Sequence, residues 1–301
     1  MSMKPGAVVT VLAAAALALT GCAGSGQGTD GGDGAPLDVV AAFYPLAFLA
    51  EEVGGPRVAV TELAPPGAEP HDLELSPADL RDLAEADIVV YLSGFMPAVD
   101  DAVAQLPAGR AWDAAGPADL DLTYGDGDTP DPHFWLDPAR YAAVGEELAT
   151  RFAELDTAGR DAFTAAAADL SGRLTDLDTE WAQGTAQCAN RYLVTTHASF
   201  GYLARRYDLT TRAITGLTPE DEPSAQELSA TAEFVRANGV RTIYTETLVG
   251  TDLADTLAAE TGARTALLDP VEGLNDESPG ADYLEIMRAN LASVRTGQPC
   301  P

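Results

Sequence analysis

The sequence predicts an α/β protein with two lobes, each built on a parallel β-sheet covered by helices, joined by one long rigid α-helix. Its 301 residues, 46% of them hydrophobic, are enough for two packed cores. Short apolar runs alternate with helical patterns along most of the chain, which is typical of parallel sheets. One helical pattern near the middle is longer than the others and is the natural connector.

The first lobe is expected over residues 37–156, where apolar runs of strand length alternate with segments whose apolar residues recur at helical spacing. Ser76-Pro77 is a favourable helix start, because serine caps the first turn and proline fits its first position. The predicted strands are residues 37–43, 58–63 and 88–92, and the predicted helices are residues 46–53, 77–85 and 96–105 and one that begins at Pro138.

The connecting helix is expected over residues 157–184. Five large apolar residues recur in it at steps of seven, four, three and four, which places them on one face. At about 1.5 Å per residue the helix is on the order of 40 Å long, enough to run along a whole lobe. The five residues are Phe163, Leu170, Leu174, Leu177 and Trp181.

The second lobe is expected over residues 185–301, where the alternation of strands and helices resumes. Its clearest helix is entered through Ser224 and ends before Gly239, which are favourable capping residues. The predicted strands are residues 192–196, 212–217, 241–245 and 265–268, and the predicted helices are residues 199–207, 224–238, 252–261 and 281–294.

The N-terminus has the features of an export signal. Lys4 precedes an apolar stretch that is too short for a comfortable membrane span. The stretch ends at Leu19-Thr20-Gly21-Cys22, which resembles the bacterial lipobox, where the cysteine is lipidated and becomes the new N-terminus. We therefore predict a lipoprotein signal peptide over residues 1–21 and a flexible lipid-anchor tether over residues 22–36. An ordinary signal cut near Ala23 is the alternative.

Two further cysteines, Cys188 and Cys300, remain in the exported chain. Thiols outside the cytoplasm are more often paired than free, so we predict a structural disulfide between them. The alternative, that they bind metal, would need two more soft ligands nearby.

The composition excludes several classes of protein. With a formal net charge of −30, the chain has no basic surface to neutralise phosphates, so we expect no nucleic-acid partner. Lys4 is the only lysine, so the mature protein has neither a P-loop lysine nor a Schiff-base lysine.

The chain has three histidines, and each is expected in a loop beside the end of a strand. His71 and His197 follow predicted strands, and His133 lies on a turn that Pro132 and Pro138 make rigid. Ligands of open α/β sheets bind beyond the carboxyl ends of the strands. We therefore predict that the three imidazoles converge on one metal ion.

Asp269 is the carboxylate most like these histidines, because it closes a predicted strand and precedes Pro270. It would give two ligands from each lobe, and three imidazoles with one carboxylate suit tetrahedral zinc. Glu246 also ends a strand and is a possible hydrogen-bonding partner of a ligand. Spacing alone leaves a plainer alternative, since loop histidines are often surface residues and Asp269 before proline is a common turn starter.

Six motifs, in order along residues 37–294, together resemble the metal-binding solute-binding proteins of ABC transporters, the cluster A-I family of zinc and manganese importers. They are Phe43-Tyr44-Pro45-Leu46, Pro65-Pro66-Gly67, Glu69-Pro70-His71-Asp72, Asp131-Pro132-His133-Phe134-Trp135-Leu136-Asp137-Pro138, Thr196-His197-Ala198-Ser199-Phe200-Gly201-Tyr202 and Leu268-Asp269-Pro270.

The resemblance implies two Rossmann-like lobes with metal in the cleft, and ligand roles for His71, His133, His197 and Asp269. Zinc-type members carry histidine at the third ligand position, as His197 does, whereas manganese and iron members carry glutamate. The resemblance also implies an extracytoplasmic lipoprotein on the outer face of the bacterial membrane that delivers Zn²⁺ to an ABC transporter permease. We expect it to act as a monomer.

Three other functions remain open at this point. The first is a manganese- or iron-binding member of the same family, with Mn²⁺ as cargo. The second is a zinc-dependent hydrolase with Asp269 or Glu246 as general base, although no His-Glu-x-x-His or Gly-x-Ser-x-Gly motif supports it. The third is a surface adhesin stabilised by its metal. One departure from the family is that the acidic loop 119–131 lacks histidine, which puts a role in metal capture in doubt.

Overall fold

A computed structural model of the chain describes Met1 and residues 35–125, 127–219 and 221–300. The predicted signal peptide beyond Met1, the lipidation site at Cys22 and the tether up to residue 34 lie outside the described residues. Within the described part of the chain, no helix is both long and apolar enough to cross a membrane.

The first half contains a four-stranded parallel sheet with the order β2-β1-β3-β4. Val39 on the central strand β1 lies opposite Val60 on β2 and Ile88 on β3. The three predicted strands are confirmed. The fourth strand, β4, was not predicted, because its three residues are too few to give a sequence pattern. The bounds are β1 Leu37–Ala41, β2 Val58–Glu62, β3 Ile88–Tyr91 and β4 Ala111–Asp113.

Five helices accompany this sheet. The second of them begins as predicted, because the Ser76 side chain accepts from the backbone of Ala78 and Asp79 and the Asp79 side chain accepts from the backbone of Ser76. The fifth begins at Pro138, where Asp137 caps the first turn. The bounds are α1 Tyr44–Gly54, α2 Pro77–Glu85, α3 Pro97–Val103, α4 Ala115–Ala118 and α5 Pro138–Leu155.

The long helix α6 spans Arg160–Thr185, which is 26 residues or about 39 Å. It begins three residues later than predicted, because the Asp156 side chain accepts from the backbone of Ala158 and Gly159 and holds a turn there. The predicted apolar face is buried. Phe163 packs on α5, and Trp181 donates to the backbone carbonyl of Met287 in the second half. One helix thus packs against both halves.

The second half repeats the arrangement with the sheet order β6-β5-β7-β8, again all parallel. β6 lies earlier than predicted, because Thr215 has turned out of the sheet and donates both its backbone N–H and its hydroxyl to the Thr196 carbonyl. The bounds are β5 Tyr192–Thr195, α7 Gly201–Arg206, β6 Thr210–Ala213, α8 Ala225–Ala237, β7 Thr242–Thr245, α9 Asp252–Thr261, β8 Arg264–Leu267 and α10 Tyr283–Gly297.

The fold class is therefore confirmed: two α/β lobes with parallel four-stranded sheets and a long helix that packs against both. The predicted disulfide is confirmed as well, and Cys188, just after α6, is bonded to Cys300, just after α10. The bond closes the whole second lobe into one covalent loop.

Candidate metal centre

His71 lies in the loop after β2 and is buried. Its backbone N–H donates to Glu69 Oε1 at 3.1 Å, and its ring packs on the ring of Phe95 with the centroids 4.4 Å apart. The loop thus turns the imidazole inward, away from water.

His133 immediately precedes a 3₁₀ turn, Phe134–Leu136, and is fully buried. Asp131 Oδ1 accepts from the His133 backbone N–H at 2.9 Å and lies 2.7 Å from His133 Nδ1. A carboxylate in this position keeps the proton on Nδ1, so the lone pair of Nε2 faces the cluster.

His197 lies two residues after the end of β5 and is supported in the same way by a carboxylate beyond the neighbouring strand β7. Glu246, just beyond β7, accepts from the His197 backbone N–H at 3.1 Å and contacts His197 Nδ1 at 2.6 Å. Here too Nε2 is left to face the cluster. The two carboxylates therefore orient two of the histidines.

The three imidazoles converge, and the carboxylate among them is Glu272. Its Oε1 lies 3.0 Å from His133 Nε2, 3.2 Å from His197 Nε2 and 3.6 Å from His71 Nε2. One ligand atom from each of these four buried residues lies within 4.8 Å of those of the other three. Glu272 was not among the residues predicted from the sequence.

Asp269, the acid predicted for this position, is not in the cluster. Its Oδ1 accepts from the Val271 backbone N–H at 2.7 Å, and its Oδ2 accepts from the Thr247 hydroxyl at 3.3 Å. Asp269 lies two residues beyond the end of β8, and the chain then turns after Pro270 and brings the next acid, Glu272, inward. The sequence feature that could have pointed to Glu272 is that it is a second acid in the same loop, three residues after Asp269.

The interior of the cluster is short of hydrogen bonds. Among the described residues, buried His71 Nε2, His133 Nε2 and Glu272 Oε2 have no hydrogen-bond partner. A buried polar atom without a partner costs about 1–3 kcal/mol. A dication bound by these atoms would remove that cost, and the donor set fits zinc.

The acidic and imidazole groups of the cluster shift one another's pKa values towards the charged forms. Burial would lower the pKa of His133, but its interactions with Asp131 and Glu272 outweigh burial and raise that pKa above its ordinary value. Burial opposes charge on His197 too, but Glu246 and Glu272 raise its pKa well above the ordinary value. Burial would raise the pKa of Glu272, whereas the charge of His197 and the close contacts of Glu272 with the three imidazole nitrogens hold it well below the ordinary value. These interactions therefore favour the protonated form of His133 and His197 when no metal is bound.

The acidic loop 119–131 contacts the second half through Asp121. Asp121 Oδ1 accepts from Arg140 on α5 at 2.8 Å and from Arg205 on α7 at 2.7 Å. Both guanidinium groups lie over the Tyr202 ring, at 4.9 and 5.3 Å from its centroid. This carboxylate joins the two halves and is already paired with two cations, which disfavours it as a metal donor.

Comparison with known proteins gives one consistent result. The profile of the family described as "ZnuA: Zinc-uptake complex component A periplasmic" matches residues 39–297. The chain is 30% identical over 303 residues to the high-affinity zinc uptake system protein ZnuA of Bacillus subtilis, and the alignment covers 95% of both chains. It is 32% identical over 297 residues to the zinc-binding lipoprotein AdcA of Streptococcus pneumoniae, covering 93% of this chain but 58% of that longer relative.

Comparison with solved structures also points to zinc-binding and metal-transporting proteins. The laminin-binding protein Lmb of Streptococcus agalactiae, described as having adhesin and metal transporting activity, matches with a TM-score of 0.78 at 29% identity, over 87% of this chain and 99% of that one. The Zn(II)-bound ZnuA-like domain of Streptococcus pneumoniae AdcA matches with a TM-score of 0.75 at 32% identity, over the same shares of the two chains.

Proposed function

Since the chain belongs to the family of ZnuA, the periplasmic component A of zinc-uptake complexes, we propose that it captures Zn²⁺ outside the cytoplasm and delivers it to an ABC importer permease. One observation carries the proposal: three imidazole nitrogens and one carboxylate oxygen face one another in a buried cluster. The Zn(II)-bound AdcA domain has the same fold and supports zinc as the cargo.

The proposed ligands are His71, His133, His197 and Glu272, with Asp131 and Glu246 orienting two of the imidazoles. Three nitrogen donors with one oxygen donor favour zinc over the harder manganese ion. Four protein ligands leave no open position for an activated water, so the site suits carriage of the ion rather than hydrolysis. We therefore propose that the protein is not an enzyme.

Membrane attachment belongs to the same proposal. The sequence around Cys22 has the form of a lipidation site, and the pneumococcal relative is a lipoprotein by name. A lipid at Cys22 followed by a tether would keep the protein beside its permease. We further propose that it works as a monomer, with lobes at residues 37–156 and 185–301 joined by the segment 157–184, most of which is helix α6.

The proposal is tested by titrating the metal-free protein with Zn²⁺ in a calorimeter and repeating the titration in the presence of Mn²⁺. We expect one Zn²⁺ per chain and no displacement by equimolar Mn²⁺. In cells, a deletion strain should grow poorly in zinc-depleted medium and recover with the wild-type gene but not with His133→Ala. Full recovery with that variant, or a preference for Mn²⁺ in the calorimeter, would reject zinc delivery through this site.

Zinc affinity should fall as the pH falls, and the fall should begin above the ordinary histidine range. Zinc binds neutral imidazole, so the ion must displace protons that the raised pKa values of His133 and His197 retain. Zinc competition with a chelator at pH 8.5, 7.5, 6.5 and 5.5 measures the effect. A dissociation constant that stays unchanged from pH 8.5 to 6.5 would contradict it.

A further inference from the structure

Val271 lies between Asp269 and Glu272 in an unusual backbone conformation. Its φ is +60°, and its side chain is fully buried. For a β-branched residue this left-handed conformation is a genuine outlier, and such conformations persist only where the surroundings hold them. The residue that follows it is the carboxylate of the metal cluster.

The Asp269 side chain holds one side of this turn. Its Oδ1 accepts from the Val271 backbone N–H at 2.7 Å, directly at the strained residue. Asn290 on α10 fixes Asp269 itself, accepting from its N–H at 2.9 Å and donating to its carbonyl at 2.7 Å. Both side chains are buried, so water does not compete for these bonds.

A residue of the first half, Trp135, also bonds to this turn. The Trp135 indole N–H donates to the Pro270 carbonyl at 2.8 Å, and the Tyr283 hydroxyl donates to the Trp135 carbonyl at 2.5 Å. Trp135 lies two residues after His133. The turn that presents Glu272 is thereby joined to the turn that presents a histidine.

We propose that Asp269 is a positioning residue that keeps Val271 left-handed and so aims Glu272 at the three imidazoles. The inference rests on the proposed zinc function and deepens it. Without Asp269 Oδ1, the buried Val271 N–H loses its acceptor, and valine relaxes towards negative φ. That rotation turns the Glu272 side chain away from the imidazoles. Within the described structure, Glu272 Oε2 makes no hydrogen bond that would hold the side chain in place.

The test compares Asp269→Ala with Asp269→Asn. Asparagine keeps an oxygen that can accept from the Val271 N–H but carries no charge, so the zinc affinity of Asp269→Asn should stay within about tenfold of that of wild type. The affinity of Asp269→Ala should fall by about 10- to 100-fold, which is the usual effect of removing a group that supports a metal ligand. Co²⁺ substituted for Zn²⁺ reports the geometry: Asp269→Asn should keep the intense visible absorption of a four-coordinate site, and Asp269→Ala should give the weaker spectrum of a higher-coordinate one.

A second variant covers the case in which Asp269→Ala fails to fold. Glycine adopts positive φ freely, so Val271→Gly should fold and keep the four-coordinate Co²⁺ spectrum, and adding Val271→Gly to Asp269→Ala should restore part of the lost affinity. A wild-type spectrum and affinity in folded Asp269→Ala would overturn the proposal. So would loss of the four-coordinate spectrum in Asp269→Asn, which would mean that the charge acts directly. A wild-type protein that binds neither ion would instead reject the zinc function itself.

Discussion

Glu272→Gln should weaken zinc binding about a hundredfold. A four-ligand zinc site contributes about 10–16 kcal/mol of binding free energy, so each ligand accounts for roughly 3 kcal/mol on average, and 1.4 kcal/mol is tenfold. Glutamine keeps the size of the side chain but replaces the anionic oxygen that lies within 3.6 Å of three imidazole nitrogens. Competition with a chelator of known affinity at pH 8 measures the change.

Glu277→Gln is the matched control, because Glu277 is an exposed acid in the same segment of the chain and lies outside the cluster. Its dissociation constant should equal that of wild type. If Glu272→Gln and Glu277→Gln bind zinc equally well, Glu272 is not a ligand, and the fourth donor must be sought elsewhere.

Loss of the disulfide should produce the largest change in stability. The bond between Cys188 and Cys300 closes a loop with a sequence separation of 112 residues. For a loop of about 100 residues, the entropy model predicts about 4–5 kcal/mol of stabilisation, because the unfolded chain loses freedom. We expect the Cys188→Ser/Cys300→Ser variant to lose free energy of unfolding on that order in denaturant titrations of the metal-free protein.

Zinc affinity should be the same in the Cys188→Ser/Cys300→Ser variant as in wild type, since neither cysteine belongs to the metal cluster. The reducing agent alone should destabilise wild type in the same way and have no effect on the double variant. A difference in unfolding free energy below about 1 kcal/mol would mean that the unfolded chain gains little freedom when the bond is absent.

Much of the fold could be predicted from the sequence, because the helices and strands have strong local patterns. The capping residues at Ser76 and Ser224 marked two helix starts within a residue. Local patterns could not reveal β4, whose three residues pair only because β3 lies beside them. They also misplaced β6, because the β-branched Ile214 and Thr215 favour a strand, whereas Thr215 bonds to the Thr196 carbonyl instead.

The histidines of the site were predictable for a different reason. His71 and His197 lie in loops after parallel strands, and the carboxyl ends of such strands meet at one edge of a sheet. His133 lies on a turn between two prolines instead. Whether Asp269 or Glu272 faces the imidazoles depends on the backbone of one residue, Val271. Its φ is positive, which could not be predicted from the sequence because β-branched residues rarely adopt that conformation. Both acids lie in the same loop, and the turn within that loop decides which of them faces the three imidazoles.

X-ray absorption at the zinc edge of the loaded protein tests the central claim most directly. We predict one zinc per chain with three imidazole nitrogens at about 2.0–2.1 Å and one carboxylate oxygen at about 2.0–2.2 Å, and no sulfur. Glu272→Gln should change the oxygen contribution and leave the imidazole scattering in place. A zinc ion surrounded mainly by water oxygens, or fewer than three imidazoles in the wild-type protein, would contradict a buried site formed by these four side chains.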